Sequence, residues 1–254
     1  MRPLSRRAAL RLGAAAAATA CLGARDTFAF GDASKVDCVE INMPGGSISR
    51  PEAWSRLLFE IDQTTSIETV SRVPRIAPED PALFEHPFAA LVGDGALEPL
   101  SDAAIEQLRR YLTYGGFLLI DDATGLKRSA FDDSVRKLIG RLFPTRSLFP
   151  LPSDHAIFRS FFLINRPVGR VAQFDHVEAV SLGEITPLVY FRNDLSGALS
   201  RGADGRGTYP CTPGGENQRR EAVKLAVNLV MYALTSNYKQ DQAHVAELMK
   251  EGRL

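Results

Sequence analysis

Acidic side chains follow two apolar runs of the sequence. Asp94 follows the run at 88–93, and Asp121 and Asp122 follow the run at 117–120. Both runs are continuously apolar rather than alternating, which is typical of strands buried on both faces of a parallel sheet. Ligands of such sheets bind beyond the carboxyl ends of the strands. A carboxylate there could act as a base, bind sugar hydroxyls or hold a metal, or it could simply cap a turn.

Asp121 and Asp122 are adjacent in the sequence. Successive side chains of a strand point to opposite faces, so only one of the two can point into a given pocket. The alternative for this pair is that one carboxylate caps the following turn while the other is solvated.

Two histidines stand beside acids, in the pairs Asp154-His155 and Asp175-His176. With Asp121 or Asp122 they could supply oxygen and nitrogen ligands to a metal. Their spacing matches no metal-binding signature, so no metal site is predicted. His155 remains a candidate pocket residue that could assist an aspartate base.

The segment Pro213-Gly214-Gly215-Glu216 leads into a predicted helix at 216–235. Free N–H groups at a helix start can bind an anion, which would make this segment a ligand or partner surface. Alternatively, Glu216 supplies the negative charge itself and pairs with an arginine of the first turn, as in a structural helix start. Both interpretations stay open, and the candidate pocket residues here are Glu216, Asn217, Arg219 and Arg220.

Several familiar chemical motifs are absent from the sequence. It contains no Gly-rich dinucleotide fingerprint, no phosphate-binding loop with Lys-Ser/Thr, no His-Glu-x-x-His and no Gly-x-Ser-x-Gly. Cys38 lies in an apolar run and Cys211 in a Pro-rich loop, and neither belongs to a nucleophile motif. We therefore predict no catalytic residue and no cofactor, and leave open whether the two cysteines pair.

Strands and helices alternate along the chain. Apolar periodicity and caps predict helices starting at Pro51, at Ser101 and after Ser129, and strands at 36–41, 67–73, 178–182 and 188–191. The segments 42–49 and 192–213 are rich in Gly, Ser, Asp and Pro and are predicted as loops. This order predicts a single α/β domain over 36–250, with a mostly parallel sheet in a three-layer arrangement.

The first residues have the composition of an export signal. Arg6-Arg7 precede a short apolar stretch and an alanine run, the order found in secretory signals of the twin-arginine type. We predict a signal peptide over 1–29 and a periplasmic location; lipidation at Cys21 is a less favoured alternative. Without the four arginines of residues 1–24, the chain keeps 26 basic and 30 acidic residues. That balance gives no electrostatic basis for nucleic-acid binding, and no run in the mature chain predicts a membrane-spanning helix.

Four segments together resemble a bacterial family, the domain-of-unknown-function 4159 family. They are 87–95, 100–122, 192–198 and the most specific one, Gly214-Gly215-Glu216-Asn217-Gln218-Arg219-Arg220-Glu221 with its continuation to 239. The resemblance implies a class I glutamine-amidotransferase-like, flavodoxin-related fold and no established activity. Amidotransferases of that superfamily carry a cysteine at the turn after the central strand, where this chain has Val92-Gly93-Asp94-Gly95. Related groups have histidine where Asp94 and Asp121 stand.

These observations predict an exported, non-catalytic domain that acts in ligand binding or in envelope protein assembly. Its partner would be an unknown envelope protein or a small polar ligand. The alternative is a hydrolase or isomerase of carbohydrate or cell-wall fragments, with an aspartate base at Asp94, Asp121 or Asp122 and assistance from His155.

Overall fold

The computed structural model describes residues 35–250 of the chain. Its strands are β1 (Val39–Ile41), β2 (Gly45–Ile48), β3 (Arg75–Ile76), β4 (Phe88–Leu97), β5 (Phe117–Asp122), β6 (Phe149–Pro150), β7 (Glu178–Leu182) and β8 (Ile185–Phe191). They form one sheet in the order β3-β1-β4-β5-β8-β7-β6, and β2 pairs with β4 outside this path. The pairs from β3 to β8 are parallel, whereas β2–β4, β7–β8 and β6–β7 are antiparallel.

Helices cover both faces of this sheet. They are α1 (Pro51–Thr64), α2 (Asp102–Thr113), α3 (Ala130–Leu142), α4 (Leu195–Leu199) and α5 (Gly215–Lys250). One apolar cluster joins α1, α4 and α5 to one face, and a second joins α2 and α3 to the other. The α/β class and the mostly parallel sheet are confirmed, and the arrangement is consistent with three layers.

The β4–α2–β5 unit forms as its sequence predicts. Phe88 pairs with Phe117 and Leu91 with Ile120 in a parallel ladder. The Ser101 hydroxyl accepts a hydrogen bond from the Ala104 N–H at 3.1 Å and so caps α2. Gly115 follows the helix with a φ of +107°, a conformation that favours glycine.

The Gly-rich segments around β4 are more ordered than predicted. The expected loop at 42–49 contains β2, which lies antiparallel to the second half of β4. Strand β4 therefore continues through Asp94 to Leu97 instead of ending before it. The edge strand expected at 67–73 is represented only by a bridge at Thr69, and the edge of the sheet is β3.

The predicted surface loop at 192–213 is wrong in its first part. Residues 192–200 are all buried and include the short helix α4. Their polar composition suggested solvent, but the side chains of Arg192, Asn193 and Asp194 bond to other parts of the protein. Burial of polar groups is tolerated where they find partners, and of these three side chains only the Nε atom of Arg192 is buried without one.

Helix α5 continues to Lys250, beyond its predicted end at 235. Its apolar residues pack between α1, α4 and the sheet and include Leu225, Leu229 and Ala233. Among residues 35–250, no helix combines the length and apolar character needed to cross a membrane. The predicted signal peptide and the alternative at Cys21 lie outside the described residues.

Candidate functional site at the carboxyl edge of the sheet

Asp121 lies at the carboxyl end of β5 and is fully buried, with 0% exposure. Its two carboxylate oxygens accept hydrogen bonds from the backbone N–H groups of Leu195 at 2.8 Å and Ser196 at 2.7 Å. These are the first residues of α4, so the carboxylate satisfies N–H groups that a helix start leaves without partners. Asp121 thus holds α4 over the edge of the sheet.

Asp194 precedes α4 and is also 0% exposed. Its backbone is left-handed, with φ +56°, which allows its side chain to accept from the Gly197 N–H at 2.9 Å. The carboxylate also accepts from the Arg50 guanidinium at 2.5 Å and from the Arg170 guanidinium. One buried acid therefore joins the start of α1, the 165–172 segment and α4.

The pKa of Asp121 is raised to about 7. Burial is the larger cause, because it removes water from the carboxylate, and the nearby charge of Asp194 acts in the same direction. Hydrogen bonds from Ser196 and Leu195 oppose the shift. A perturbed pKa is common at catalytic sites but also arises in structural networks. Here every carboxylate oxygen of the pair already accepts a hydrogen bond.

Asp122 faces the other side of the sheet. It accepts hydrogen bonds from the Thr124 N–H at 2.9 Å, the Ser129 hydroxyl at 3.1 Å and the Tyr190 hydroxyl at 3.3 Å. These contacts shape the turn after β5 and attach it to the start of α3. Asp121 and Asp122 therefore point to opposite faces of the sheet, and each accepts hydrogen bonds from the segments on its own face.

Asp94 and His155 lie away from this network. Asp94 is exposed on the extension of β4.

The His155 ring contacts the Thr186 hydroxyl at 3.1 Å and packs against Tyr232. Thr186 is near the start of β8, whereas Phe191 at its end pairs with Asp121, and five residues of strand span about 16 Å. His155 is therefore at the amino edge of the sheet, where burial lowers its pKa.

The candidates at the start of α5 have two different environments. Arg219 is buried and donates to the Glu216 carboxylate at 2.8 Å, to the Tyr209 carbonyl at 2.6 Å and to the Ala198 carbonyl. Glu216 has a pKa lowered chiefly by its hydrogen bond from Arg219. The Glu216–Arg219 contact is that of a structural helix start, as the second interpretation of this segment predicts.

Asn217 and Arg220 are exposed and line a cleft of about 460 Å³ between the 165–172 segment and the start of α5. Arg166 also lines this cleft. Gln218 forms part of its wall, and its side-chain amide donates to the Gly169, Arg170 and Thr212 carbonyls at 2.8 to 3.0 Å. Of the residues that the sequence proposed for a pocket, Asn217 and Arg220 line this cleft.

Sequence reasoning missed the residues that close the carboxyl edge, Arg50, Arg170, Asn193 and Asp194. Asn193 accepts from the Gln173 and Phe174 N–H groups at 3.0 and 2.9 Å and donates to the Pro167 and Phe174 carbonyls. The only signal for these residues was the run Arg192-Asn193-Asp194 in a segment predicted as a loop. Nothing in the sequence near Arg50 indicates its contact with Asp194.

The histidines, cysteines and acids at residues 35–236 form no group of three that could hold a metal. Cys38 and Cys211 are both buried free thiols, so they do not pair. Burial raises the pKa of the Cys211 thiol, which disfavours the reactive thiolate.

The fold and this edge define an α/β protein in which Asp121, Asp122 and Asp194 are enclosed by its own backbone N–H groups and side chains. The family model described as "Domain of unknown function (DUF4159)" matches residues 38–234, and the chain belongs to this family. No curated protein matches the chain.

Proposed function

We propose that this chain is an exported, non-catalytic domain with amidotransferase-like architecture, which binds a small polar ligand or an envelope protein. The observation that carries the proposal is the closed carboxyl edge. Asp121 and Asp194 are fully buried, and each of their oxygens accepts hydrogen bonds from the protein. A substrate would have to displace α4 to reach either carboxylate.

The turn at which amidotransferases carry their nucleophile supports the same proposal. Strand β4 runs on through Gly93 and Asp94 into its pairing with β2. A Cβ atom at Gly93 would lie 2.0 Å from the Phe131 ring, so the site has no room for a cysteine side chain. The flavodoxin-like relationship and the loss of a nucleophile are both part of the proposal.

The cleft lined by Arg166, Asn217 and Arg220 is the proposed contact surface. Both arginines are exposed, and the neighbouring Glu221 is paired with Lys224 at 2.7 Å. Guanidinium groups bind carboxylates and phosphates through paired hydrogen bonds. The ligand or partner segment would therefore present an anionic group. The alternative is a carbohydrate or cell-wall-fragment hydrolase or isomerase, with an aspartate base at Asp94, Asp121 or Asp122 and assistance from His155. It has less support, because His155 lies beside Thr186 at the amino edge of the sheet, whereas Asp121 and Asp122 end β5 at the carboxyl edge.

Affinity capture with charge-reversed variants tests this surface. The wild type would be compared with Arg166→Glu/Arg220→Glu as bait in periplasmic extract, with native mass spectrometry to detect small ligands. The matched control is Arg72→Glu/Arg159→Glu, which makes the same charge change at exposed arginines elsewhere. We expect one species to be retained by wild type and control and lost by the cleft variant. Equal retention by all three proteins, or no retained species, would refute the proposal that this cleft is the contact surface.

Export is tested separately. Replacing Arg6 and Arg7 with lysine keeps the charge but removes the paired arginines of the signal. We expect the precursor to accumulate in the cytoplasm while the wild type is processed. Normal processing of the lysine variant would exclude the twin-arginine route.

A further inference from the structure

We propose that a cavity at the amino edge of the sheet binds a neutral, hydroxyl-bearing ring such as a sugar. The cavity has a volume of about 300 Å³ and is lined by Phe84, Glu85, His86, Pro87, Tyr111, Tyr114, Gly115 and Gly116. It lies at the starts of β4 and β5, opposite the closed carboxyl edge. The inference uses none of the residues of the cleft at α5.

The cavity contains an oriented histidine. His86 Nδ1 lies 2.7 Å from the Asp37 carboxylate. The two residues meet because Asp37 lies two residues before β1 and His86 two residues before β4, and these strands are parallel neighbours. A carboxylate accepts a hydrogen bond from Nδ1–H, so the neutral ring carries its free lone pair on Nε2.

Among the described residues, Nε2 of His86 has no hydrogen-bond partner, and it is not one of the buried atoms without one. Nε2 is therefore accessible to solvent, and His86 is one of the residues that line the cavity. The Asp37 contact raises the pKa of His86, and the charges of Asp37, Glu85 and Asp80 act in the same direction. Nε2 can accept a hydrogen bond from a ligand hydroxyl when neutral and donate one when protonated.

Two aromatic side chains flank this polar group. Tyr114 is 69% exposed and Phe84 is 42% exposed, both unusually open for aromatic residues. Gly115 and Gly116 also line the cavity and contribute only backbone atoms to it. A Cβ atom at Gly116 would lie 2.3 Å from the Tyr111 ring, so this position has room only for glycine. The Tyr111 hydroxyl is already used by the His86 carbonyl at 2.8 Å.

The charges around the cavity determine the ligand class. None of the described lining residues is a lysine or arginine. The Arg110 guanidinium lies over the Phe84 ring, 6.0 Å from its centroid. Glu85 and the Asp37 carboxylate disfavour an anion, whereas a protonatable His86 disfavours a cation. A neutral ring with an apolar face for Tyr114 and hydroxyls for His86 and Glu85 fits both features. The volume is at the small end for ligand sites and suits one ring.

The test is a ligand titration of the purified protein, in which NMR monitors the nitrogen chemical shift of His86 Nε2. The probes are N-acetylglucosamine and cellobiose as neutral sugars, inorganic phosphate as the anion and choline as the cation. We expect a saturable shift with a neutral sugar at a Kd of about 10 mM or below, as for a small, shallow site. Phosphate and choline should cause no saturable shift at the same concentrations.

Two variants make the result specific. Tyr114→Ala removes an exposed side chain, so the fold should be unaffected, and it should weaken sugar binding by roughly tenfold. Phe161→Ala removes another exposed aromatic far along the chain and should leave the affinity unchanged. The proposal is overturned if no sugar gives saturation, if phosphate or choline binds instead, or if binding survives Tyr114→Ala unchanged.

Discussion

The two edges of the sheet differ in what happens to their polar side chains. At the carboxyl edge, Asp121 and Asp194 are enclosed by α4, Arg50 and Arg170. At the amino edge, Asp37 orients His86 but leaves one ring nitrogen open at a cavity. The comparison teaches that acids at strand ends become a structural network when a later segment of the chain supplies their hydrogen-bond donors. An edge without such a segment keeps polar groups available for a ligand.

The strongest test of the closed edge is Asp194→Ala. The change leaves two arginines without their buried partner and removes the cap of α4. We expect a loss of about 3 kcal/mol in the free energy of unfolding, near the low end for breaking a buried pair because Arg170 is partly exposed. Urea denaturation measures it.

Asp94→Ala is the matched control, because Asp94 is exposed on the β4 extension. Its effect should stay within about 0.5 kcal/mol, as for ordinary surface changes. Similar losses for both variants would mean that the carboxyl edge is not held by Asp194.

Asp121→Asn should come next in size. The amide can accept from only one of the two backbone N–H groups, so the other loses its partner. We expect a loss of about 2 kcal/mol at a pH where the wild-type carboxylate is ionised. Unfolding in urea at alkaline pH would measure this loss, and an unchanged stability would contradict the capping role.

The pH dependence of the same variant has a definite sign. The folded pKa of Asp121, about 7, is above an unfolded value of about 3.9, so the folded state binds a proton more tightly. Its contribution to stability is full below the unfolded pKa and is lost as the pH rises through about 7. Unfolding free energies measured across this window should decline less steeply for Asp121→Asn than for the wild type.

Arg219 and Arg220 provide a comparison of adjacent residues at the start of α5. Arg219→Gln removes donors to the Ala198 and Tyr209 carbonyls and should cost about 2 kcal/mol of unfolding free energy. Arg220→Gln should stay within about 0.5 kcal/mol because Arg220 is exposed. Thermal and urea unfolding of both variants check the difference. A reversed order would contradict the structural role assigned to Arg219.

Apart from the surface controls Asp94→Ala and Arg220→Gln, the smallest expected effect on stability is at the amino edge, for Asp37→Asn. Loss of the carboxylate should lower the pKa of His86, which NMR titration of the ring measures directly. The raised pKa stabilises the fold fully below the unfolded value and ceases to do so as the pH rises through the folded value. Because the pair is partly exposed, we expect a stability change below about 1 kcal/mol. An unchanged His86 pKa would show that Asp37 does not orient the ring.

Local patterns in the sequence predicted the central unit well. The apolar runs at 88–93 and 117–120 and the cap at Ser101 specify parallel strands joined by a helix, and each signal lies within a few residues of its effect. The closed edge could not be predicted in this way. Asp194 and Arg50 are 144 residues apart in the sequence, and the contact between Leu195 and Asp121 spans 74. A polar run such as 192–194 resembles a surface loop until its distant partners are known.

The five-residue length of α4 has a consequence for the dynamics of the protein. A single helical turn is unstable by itself, because nucleation fixes several residues for one hydrogen bond. The Leu195 and Ser196 amides are nevertheless held from outside the turn by the buried Asp121 carboxylate, and the Gly197 amide is held by the capping carboxylate of Asp194. Their protons should therefore exchange with solvent only when the whole domain opens, as slowly as those of the central strands.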